Sequence, residues 1–266
     1  MEILFLIIFI IFVFIFLIYA PSERIRKVDW LAGHYAHRGL YRVDQTIPEN
    51  SFTAFQNAID HHYGIELDLQ STKDGVVMVF HDDSLKRLCG IDRNLEEMNY
   101  DEVKSLRLSE TDQLIPRFID VLTQVNGQTV LIIEIKTTQR RTETVKQVMK
   151  LTEEYNGKFV LCSFDPLILY ELKSHYPKVL RGQLTYSYKD DTNKQYWLRF
   201  MLRNCMFNFL SRPDYISIRY DQLNLSYRLN RILKVFGFGW PLASQAEEDL
   251  VKNQFEVIIF EHYLPN

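Results

Sequence analysis

Charged residues interrupt two apolar runs of the sequence at alternate positions. Glu66 and Asp68 are separated by one apolar residue, and so are Glu134 and Lys136. Residues two apart in a β-strand project from the same face, so each pair points into one space. Like charges buried together are costly unless something positive lies between them. Two interpretations are open: the carboxylates pair with Lys and Arg across the fold, or Glu66, Asp68 and Glu134 bind a metal.

The oxygen-only ligand set predicts which metal this would be. Carboxylates favour the hard divalent cations Mg²⁺, Ca²⁺ and Mn²⁺ over Zn²⁺. We therefore expect one divalent cation, Mg²⁺ or Ca²⁺, with Mn²⁺ as a third candidate. Lys136, next to the third carboxylate, would then bind a phosphate oxygen.

Two histidines extend this set to the groups that phosphodiester cleavage requires. His37 and Arg38 end the first apolar run of the domain, and His81 ends a short run after the second. One imidazole can take a proton from the attacking hydroxyl while the other gives one to the leaving alkoxide. Arg38 can bind the phosphate through two parallel hydrogen bonds, and a metal can stabilise the developing charge. The sequence does not distinguish the base from the acid.

These residues follow short apolar runs that alternate with amphipathic stretches. Such alternation is typical of βα units, and eight units in about 250 residues predict an α/β fold of the (β/α)8 TIM barrel type. The C-terminal ends of barrel strands meet at one mouth, which would bring the charged residues together. The expected strands are Gly33–Gly39, Ile65–Gln70, Val130–Lys136, Phe159–Phe164, Val179–Tyr186, Tyr215–Tyr220, Val235–Trp240 and Val257–Phe260.

The connections predict helices and a small insertion after the second strand. Val76–His81 is a hairpin-like excursion, and Asp83–Thr111 is polar with one short helix. Tyr196–Leu210 is unusually apolar, which indicates either a helix packed on the barrel or one that also touches a bilayer interface. Helices are expected to begin near Asn50 (as the N-cap), Thr142, Pro166, Lys194, Ser226 and Gln245.

The composition narrows the class of protein. The 266 residues carry 31 Lys and Arg against 34 Asp and Glu, a net charge of −3, so no basic surface for nucleic acid is expected. Cys89, Cys162 and Cys205 have no metal-type spacing. An odd number of cysteines argues against a disulfide framework and fits a reducing compartment.

The N-terminus differs from the rest of the chain. Ile3–Ile18 is an uninterrupted apolar run, and about 18 helical residues span about 27 Å, close to the hydrocarbon thickness of a bilayer. A cleaved signal peptide is the alternative, but a charged segment before the run is missing. We therefore expect a transmembrane anchor over residues 1–20, a juxtamembrane linker over 21–32 and the barrel over 33–266.

The charges beside this run predict its orientation. Arg24, Arg26 and Lys27 follow it, and no Lys or Arg precedes it. Because positive flanks tend to stay in the cytoplasm, we expect a single-pass protein of the cell membrane with a cytoplasmic catalytic domain.

Five short runs occur together in an order and spacing typical of one family. The runs are Ala36-His37-Arg38-Gly39, Pro48-Glu49-Asn50-Ser51, Glu66-Leu67-Asp68, Val79-Phe80-His81-Asp82 and Glu134-Ile135-Lys136. With these runs, the chain from about residue 33 to residue 264 resembles the glycerophosphodiester phosphodiesterases. The resemblance implies a (β/α)8 barrel with an insertion after the second strand, a metal on the three carboxylates and acid-base catalysis by the two histidines.

The implied reaction is hydrolysis of a glycerophosphodiester to glycerol phosphate and an alcohol. A hydroxyl of the glycerol itself would be the first nucleophile, giving a cyclic phosphate. Two alternatives remain: a lysophospholipase D-like activity on membrane lipids, and an inactive barrel that binds lipid headgroups. The filled metal and acid-base positions favour an enzyme.

The sequence departs from the family pattern at two positions of the mouth. Ala243 stands where the family has Asn, and Glu261 where it has Asp; both bear on the alcohol-binding side. Trp240 is expected either to stack on the substrate or to close the barrel. Glu49, near Arg38, is expected to orient the site. For His262 two interpretations are open, a structural role and a role on the rim of the mouth.

Overall fold

Eight parallel strands close into a barrel in the computed structural model, which describes residues 1–266. The first strand pairs with both the second and the last, so the sheet has no free barrel edge. This confirms the predicted TIM barrel, with most strand ends within one or two residues of expectation. The strands are β1 (Gly33–Ala36), β2 (Gly64–Ser71), β3 (Val77–Val79), β4 (Leu131–Ile135), β5 (Phe159–Ser163), β6 (Arg181–Thr185), β7 (Tyr215–Arg219), β8 (Phe236–Leu242) and β9 (Val257–Phe260), and β3 alone lies outside the barrel.

Helices cover the outside of the barrel between successive strands. Their apolar faces pack on the outward side chains of the strands in one large core. The helices are α1 (Glu2–Ile18), α2 (Phe52–Asp60), α3 (Lys86–Cys89), α4 (Tyr100–Val103), α5 (Phe118–Val125), α6 (Arg141–Thr152), α7 (Pro166–His175), α8 (Tyr196–Arg203), α9 (Asn208–Ser211), α10 (Leu225–Ile232) and α11 (Gln245–Val251), with 3-10 turns at Ile25–Lys27 and Leu95–Glu97.

The two faces of each barrel strand pack in different apolar clusters. On β4, Ile133 packs outward under the helices, whereas Ile132 belongs to a separate cluster in the barrel. Because side chains alternate along a strand, Glu134 shares the face of Ile132 and lies above it. The apolar cluster that fills the barrel below the charged residues includes Tyr35, Ile132, Val160, Tyr215 and Phe238.

The predicted insertion follows β2. Strand β3 pairs antiparallel with β2, as the hairpin-like excursion predicted. The segment after it has its own small apolar cluster around Phe80, Leu88 and Leu95. It contains two short α-helices rather than the expected one, because the turns at α3 and α4 are interrupted by the left-handed Gly90 and an extended Asn99.

Two helix predictions need correction. Ser51, not Asn50, caps α2, since its hydroxyl accepts the Ala54 N–H while Asn50 is left-handed with φ 53°. The single helix expected over Tyr196–Leu210 is two helices, α8 and α9. The chain turns between them at Cys205, whose φ of 53° is incompatible with a continuous α-helix.

The predicted transmembrane anchor is not supported. No helix in the structure is both long enough and apolar enough to cross a membrane. Helix α1 has 17 residues. Its last turn is also engaged: Ile18 is buried, and its carbonyl accepts hydrogen bonds from the side chains of Asn208 and Asn230.

The segment after α1, residues 21–32, packs on the N-terminal end of the barrel. Ile25 and Leu31 are fully buried in the apolar cluster inside the strands. Arg24 donates to both carboxylate oxygens of Asp214 at 2.9 and 2.6 Å. The Ser22 hydroxyl donates to the Asp214 carbonyl. These contacts close the end of the barrel opposite the charged residues.

Candidate active site

The chain turns sharply where β1 ends, and this turn places the first site residues. Arg38 and Gly39 are both left-handed, with φ of 56° and 78°. A Cβ on Gly39 would lie 2.9 Å from the Ala54 carbonyl carbon, so glycine is required there. The turn aims the Arg38 backbone N–H at Glu66, with 3.0 Å to Oε2.

Three carboxylates meet at the C-terminal ends of β2 and β4. Glu66, Asp68 and Glu134 are buried, and their ligand atoms lie within 4.8 Å of one another. Burial, then the charges of Asp68 and Glu134, raise the pKa of Glu66 well above its ordinary value. Burial likewise raises the pKa of Glu134. Three carboxylates with this spacing and this mutual repulsion fit a hard divalent cation.

Lys136 and Asn50 bind two of these carboxylates. The Lys136 ammonium lies 2.8 Å from Asp68 and 2.9 Å from Glu134, and the Asn50 amide donates to Asp68 at 2.9 Å. Burial alone would raise the pKa of Asp68, but the charges of Lys136, His81 and Arg38 lower it well below its usual range. The proposed cation pairing across the fold is thus present for Asp68 and Glu134. Glu66 has only a backbone N–H and the nearby His37.

His37 stands between two carboxylates. Its Nδ1 lies 2.6 Å from Glu261 Oε2, and its Nε2 lies 4.0 Å from Glu66 Oε2. Burial, helped by the Arg38 charge, lowers the pKa of His37, against the opposing effect of Glu261. The neutral imidazole therefore donates from Nδ1 to Glu261 and leaves the Nε2 lone pair facing the carboxylates. Tyr41 donates to the same Glu261 oxygen at 3.2 Å.

A second network of ion pairs begins at His81. His81 Nδ1 lies 2.7 Å from Asp82, and Arg87 binds that Asp82 carboxylate with two donors. Arg87 also donates twice to Glu49, which accepts a third hydrogen bond from Arg38 at 2.7 Å. Burial would raise the pKa of Glu49, but the hydrogen bonds from Arg87 and the Arg38 charge lower it. Glu49 therefore links Arg38 to the His81 side of the site.

The structure qualifies three sequence-predicted contacts. One Arg38 amine donates to Glu49, and its buried Nε, which has no hydrogen bond, lies 3.6 Å from Asp68 Oδ2 in an ion pair. Lys136 is not free, because two carboxylates bind it. Trp240 packs edge-on against Phe164 at 5.5 Å, and its indole N–H has no partner. The Arg38 guanidinium is thus shared between Glu49 and Asp68, whereas the Trp240 N–H is unpaired.

Sequence reasoning missed the partners of the histidines. Glu261 was expected on the alcohol side, but it holds His37. Its position one residue after the last strand, beside β1 in a closed barrel, was the available signal. Asp82 directly follows His81, which was also visible. Arg87 gave no signal, because it lies in the irregular insertion. His262 lies on the rim beside Tyr41, with ring centroids 5.3 Å apart.

The sequence of this chain is similar to those of known proteins. The model of the glycerophosphoryl diester phosphodiesterase family matches residues 37–217. A glycerophosphodiester phosphodiesterase from Caldanaerobacter subterraneus is 29% identical over 56% of this chain and 65% of its own length. A lysophospholipase D from Homo sapiens is 29% identical over 49% of this chain and 44% of its own. The chain thus matches less than two thirds of the length of these curated relatives.

A solved structure extends the comparison over the whole barrel. The crystal structure of a glycerophosphodiester phosphodiesterase from Thermotoga maritima superposes with a TM-score of 0.64 and 26% sequence identity, covering 85% of this chain and 93% of that one. The family match spans more than half of the chain and includes both histidines and all three carboxylates. The chain therefore belongs to the glycerophosphoryl diester phosphodiesterase family.

Proposed function

We propose that this protein hydrolyses glycerophosphodiesters to glycerol phosphate and an alcohol, with one divalent cation bound by Glu66, Asp68 and Glu134. One observation carries the proposal: the three buried carboxylates share a barrel mouth with two imidazoles, each braced by its own carboxylate. The names of the Caldanaerobacter and Thermotoga relatives support the same reaction.

The side chains divide the chemistry between them. When bound, the cation supplies charge neutralisation for the phosphate oxygens. Arg38 supports the phosphate with the donors that Glu49 leaves free. His37 and His81 transfer the protons at the attacking and leaving oxygens, each held in one tautomer by a carboxylate on Nδ1. The Lys136 charge lowers the pKa of Asp68 and opposes the rise that burial gives the pKa of Glu134, which favours the ionised carboxylates that a cation needs.

Metal dependence is tested by removing the divalent cation and adding it back. We expect chelation to abolish release of glycerol phosphate from glycerophosphocholine, and Mg²⁺, Ca²⁺ or Mn²⁺ to restore it. Glu66→Gln, Asp68→Asn and Glu134→Gln should each be inactive with an unchanged circular dichroism spectrum. Full activity after exhaustive chelation would remove the metal from the mechanism.

Acid-base catalysis is tested at each histidine. His37→Ala and His81→Ala should each lower kcat by roughly 10²–10⁴-fold. His34→Ala is the matched control, because His34 also pairs with a glutamate, Glu248 at 2.9 Å, but at the opposite end of β1. Near wild-type turnover in either site variant would reject that histidine. A cyclic phosphate intermediate would identify the glycerol hydroxyl as the first nucleophile.

Two alternatives give different outcomes in the same assays. An inactive barrel that binds lipid headgroups would show no turnover with any of the three cations. A lysophospholipase D-like activity, supported by the name of the human relative, would favour lysophospholipids over glycerophosphocholine. An apolar cavity beside the mouth favours this second candidate and is described below.

The location of the protein remains a prediction. We propose that α1 contacts a lipid surface, because its large side chains from Ile3 to Phe12 are exposed. The cytoplasmic side is favoured by Arg26 and Lys27, whereas Arg24 is already bound by Asp214. The protein should float with liposomes of anionic lipid, and a variant lacking residues 2–17 should not. Digestion of the barrel by protease added to intact cells would contradict the cytoplasmic placement.

A further inference from the structure

An apolar cavity lies beside the mouth, outside the charged site. Its volume of about 470 Å³ falls in the range of about 300–1,000 Å³ typical of small-molecule pockets. It lies between the ends of β5 and β6 and the inner face of α8. The residues that form its walls include Phe164, Tyr186, Tyr188, Leu198, Leu202 and Phe207.

This cavity adjoins the candidate active site. Thr137 lines both the apolar cavity and a polar cavity of about 110 Å³ that Lys136 also lines. Phe164 faces the mouth from the other side, where its ring packs against Trp240 at 5.5 Å. A molecule whose phosphate lies at the carboxylates can therefore extend from the charged mouth into apolar surroundings.

Tyr188 provides a second, independent observation. Its side chain lines the cavity and is only 2% exposed, yet its hydroxyl has no hydrogen-bond partner. A buried hydroxyl without a partner destabilises the folded state, so a ligand that accepts its hydrogen bond would gain affinity. The backbone is also left-handed here, with φ 53°, which is uncommon for a bulky residue and frequent at ligand sites. Burial raises the pKa of this phenol, so it is a hydrogen-bond donor.

The surroundings of the cavity indicate that it is suited to a lipid. The outer face of α8 exposes Tyr196, Trp197 and Phe200 to solvent, a pattern typical of interfacial helices. The cavity wall at Phe207 continues directly into α9, where Phe209 packs against Phe16 of α1 with ring centroids 6.2 Å apart. The apolar cavity, α9 and the exposed apolar helix α1 are thus contiguous.

We propose that this cavity binds the acyl chain of a lysophospholipid substrate, with the Tyr188 hydroxyl donating to the ester carbonyl of that chain. The proposal rests on the proposed phosphodiesterase function, because the chain enters the cavity from a phosphate held at the three carboxylates. The acyl chain leaves the active-site chemistry unchanged and sets which glycerophosphodiester is preferred.

The experiment measures product binding by calorimetry on the full chain with Mn²⁺ present. The probes are glycerol 3-phosphate and octanoyl lysophosphatidate, the latter below its critical micelle concentration. The lipid should bind at least about 100-fold more tightly, since four buried methylenes at about 0.8 kcal/mol each give about 200-fold. Leu198→Trp, which fills the cavity, should reduce this ratio to near one. Leu225→Trp, the same substitution at an exposed position of α10 away from the cavity, should preserve it.

Tyr188→Phe tests the hydrogen bond without removing volume. It should weaken binding of the ester-linked octanoyl lipid by about 2–10-fold and leave binding of the ether-linked octyl analogue unchanged. Equal affinities for glycerol 3-phosphate and the lipid, or a ratio unaffected by Leu198→Trp, would overturn the proposal. A preference for a chain attached to the leaving alcohol instead would also overturn it.

The two proposals fail separately. Turnover of glycerophosphocholine is measured on the same preparation. Hydrolysis without any preference for an acyl chain would reject the cavity and keep the phosphodiesterase. A lipid-binding advantage that Leu198→Trp removes, without turnover of any diester, would support the cavity and reject the phosphodiesterase.

Discussion

Each imidazole of the candidate site has a carboxylate on Nδ1, although the two carboxylates come from different parts of the chain. Glu261 follows the last strand, whereas Asp82 adjoins His81 in the insertion. A carboxylate in this position fixes the tautomer and ring orientation, so that Nε2 faces the reacting atoms. Glu261 is therefore a positioning residue that acts through His37.

Removing the Glu261 charge should impair proton transfer while leaving substrate affinity intact. We expect Glu261→Gln to lower kcat by roughly 10–100-fold with little change in KM. Because Glu261 raises the pKa of His37, the limb of the pH–rate profile that reports His37 should also move to lower pH. Glu248→Gln, which removes a similar partner from His34, is the control. A lower kcat with an unmoved pH profile would indicate a structural role only.

Glu49 should make stability depend on pH. Its lowered pKa means that its contribution is complete above the ordinary glutamate value of about 4.3 and is lost as pH falls below it. Glu49→Gln should cost about 2–3 kcal/mol at pH 7, near the lower end for a buried pair because Arg87 is half-exposed. The deficit, measured by urea unfolding, should shrink below pH 4.

An exposed ion pair supplies the comparison for Glu49. Glu102 accepts from Arg93 at 2.9 Å, and both side chains are more than 40% exposed. Glu102→Gln should cost much less than Glu49→Gln, because water screens the exposed pair and the glutamine oxygen can still accept the Asn99 N–H. A deficit for Glu49→Gln that persists unchanged at pH 3 would contradict a charge-based contribution.

The elements at the two ends of the barrel have separate tasks. The insertion and the loops after the strands supply the site, whereas residues 21–32 close the opposite end with buried apolar side chains. Ser22 connects this segment to two elements at once, since it donates to the Asp214 carbonyl and accepts from the Phe236 N–H. The segment is part of the barrel's core rather than a free linker.

Truncation within this segment should destabilise the barrel. We expect Ile25→Ala to lower the free energy of unfolding by about 2–5 kcal/mol, because Ile25 is fully buried. Ile232→Ala removes the same atoms from a side chain that is 75% exposed. It should change the free energy of unfolding by less than about 0.5 kcal/mol. Denaturant unfolding measures both. Equal effects would show that residues 21–32 do not contribute to the core.

At the scale of the whole molecule, the charge of the mouth affects the stability of the folded protein. The three buried carboxylates face the Lys136 ammonium and the Arg38 guanidinium, which is shared with Glu49, so part of their negative charge is uncompensated in the folded state. A cation that binds only the folded chain relieves this repulsion and stabilises the protein by mass action.

Divalent cations should therefore raise the melting temperature. At a hundredfold excess over Kd the stabilisation is about 2.7 kcal/mol, or about 5–10 °C for a domain of this size. Glu134→Gln should lose most of this shift, as measured by scanning calorimetry with and without chelator. An unchanged melting temperature with Mg²⁺, Ca²⁺ and Mn²⁺ alike would contradict a metal site at these carboxylates.

Local periodicity made much of this molecule predictable. The two-residue spacing of Glu66 and Asp68 identified their shared face, and strand register then placed Glu134 beside Asp68. Contacts created by closure were harder to foresee: His37 and Glu261 are 224 positions apart and meet because β1 pairs with β9. The docking of α1 also escaped prediction, because hydropathy measures apolarity but does not reveal which turn packs on the barrel.

The way α1 ends has a mechanical consequence. The amides of Asn208 and Asn230 hold its last carbonyl, and Asn230 also accepts the Ala20 N–H. These hydrogen bonds fix the C-terminal end of the helix on the barrel, and so they set which way each face of the helix is turned relative to the mouth. Because a helix turns about 100° per residue, inserting one residue at its middle would rotate the far end by that angle. The attachment of α1 to the barrel and the direction of its exposed face can therefore be varied independently.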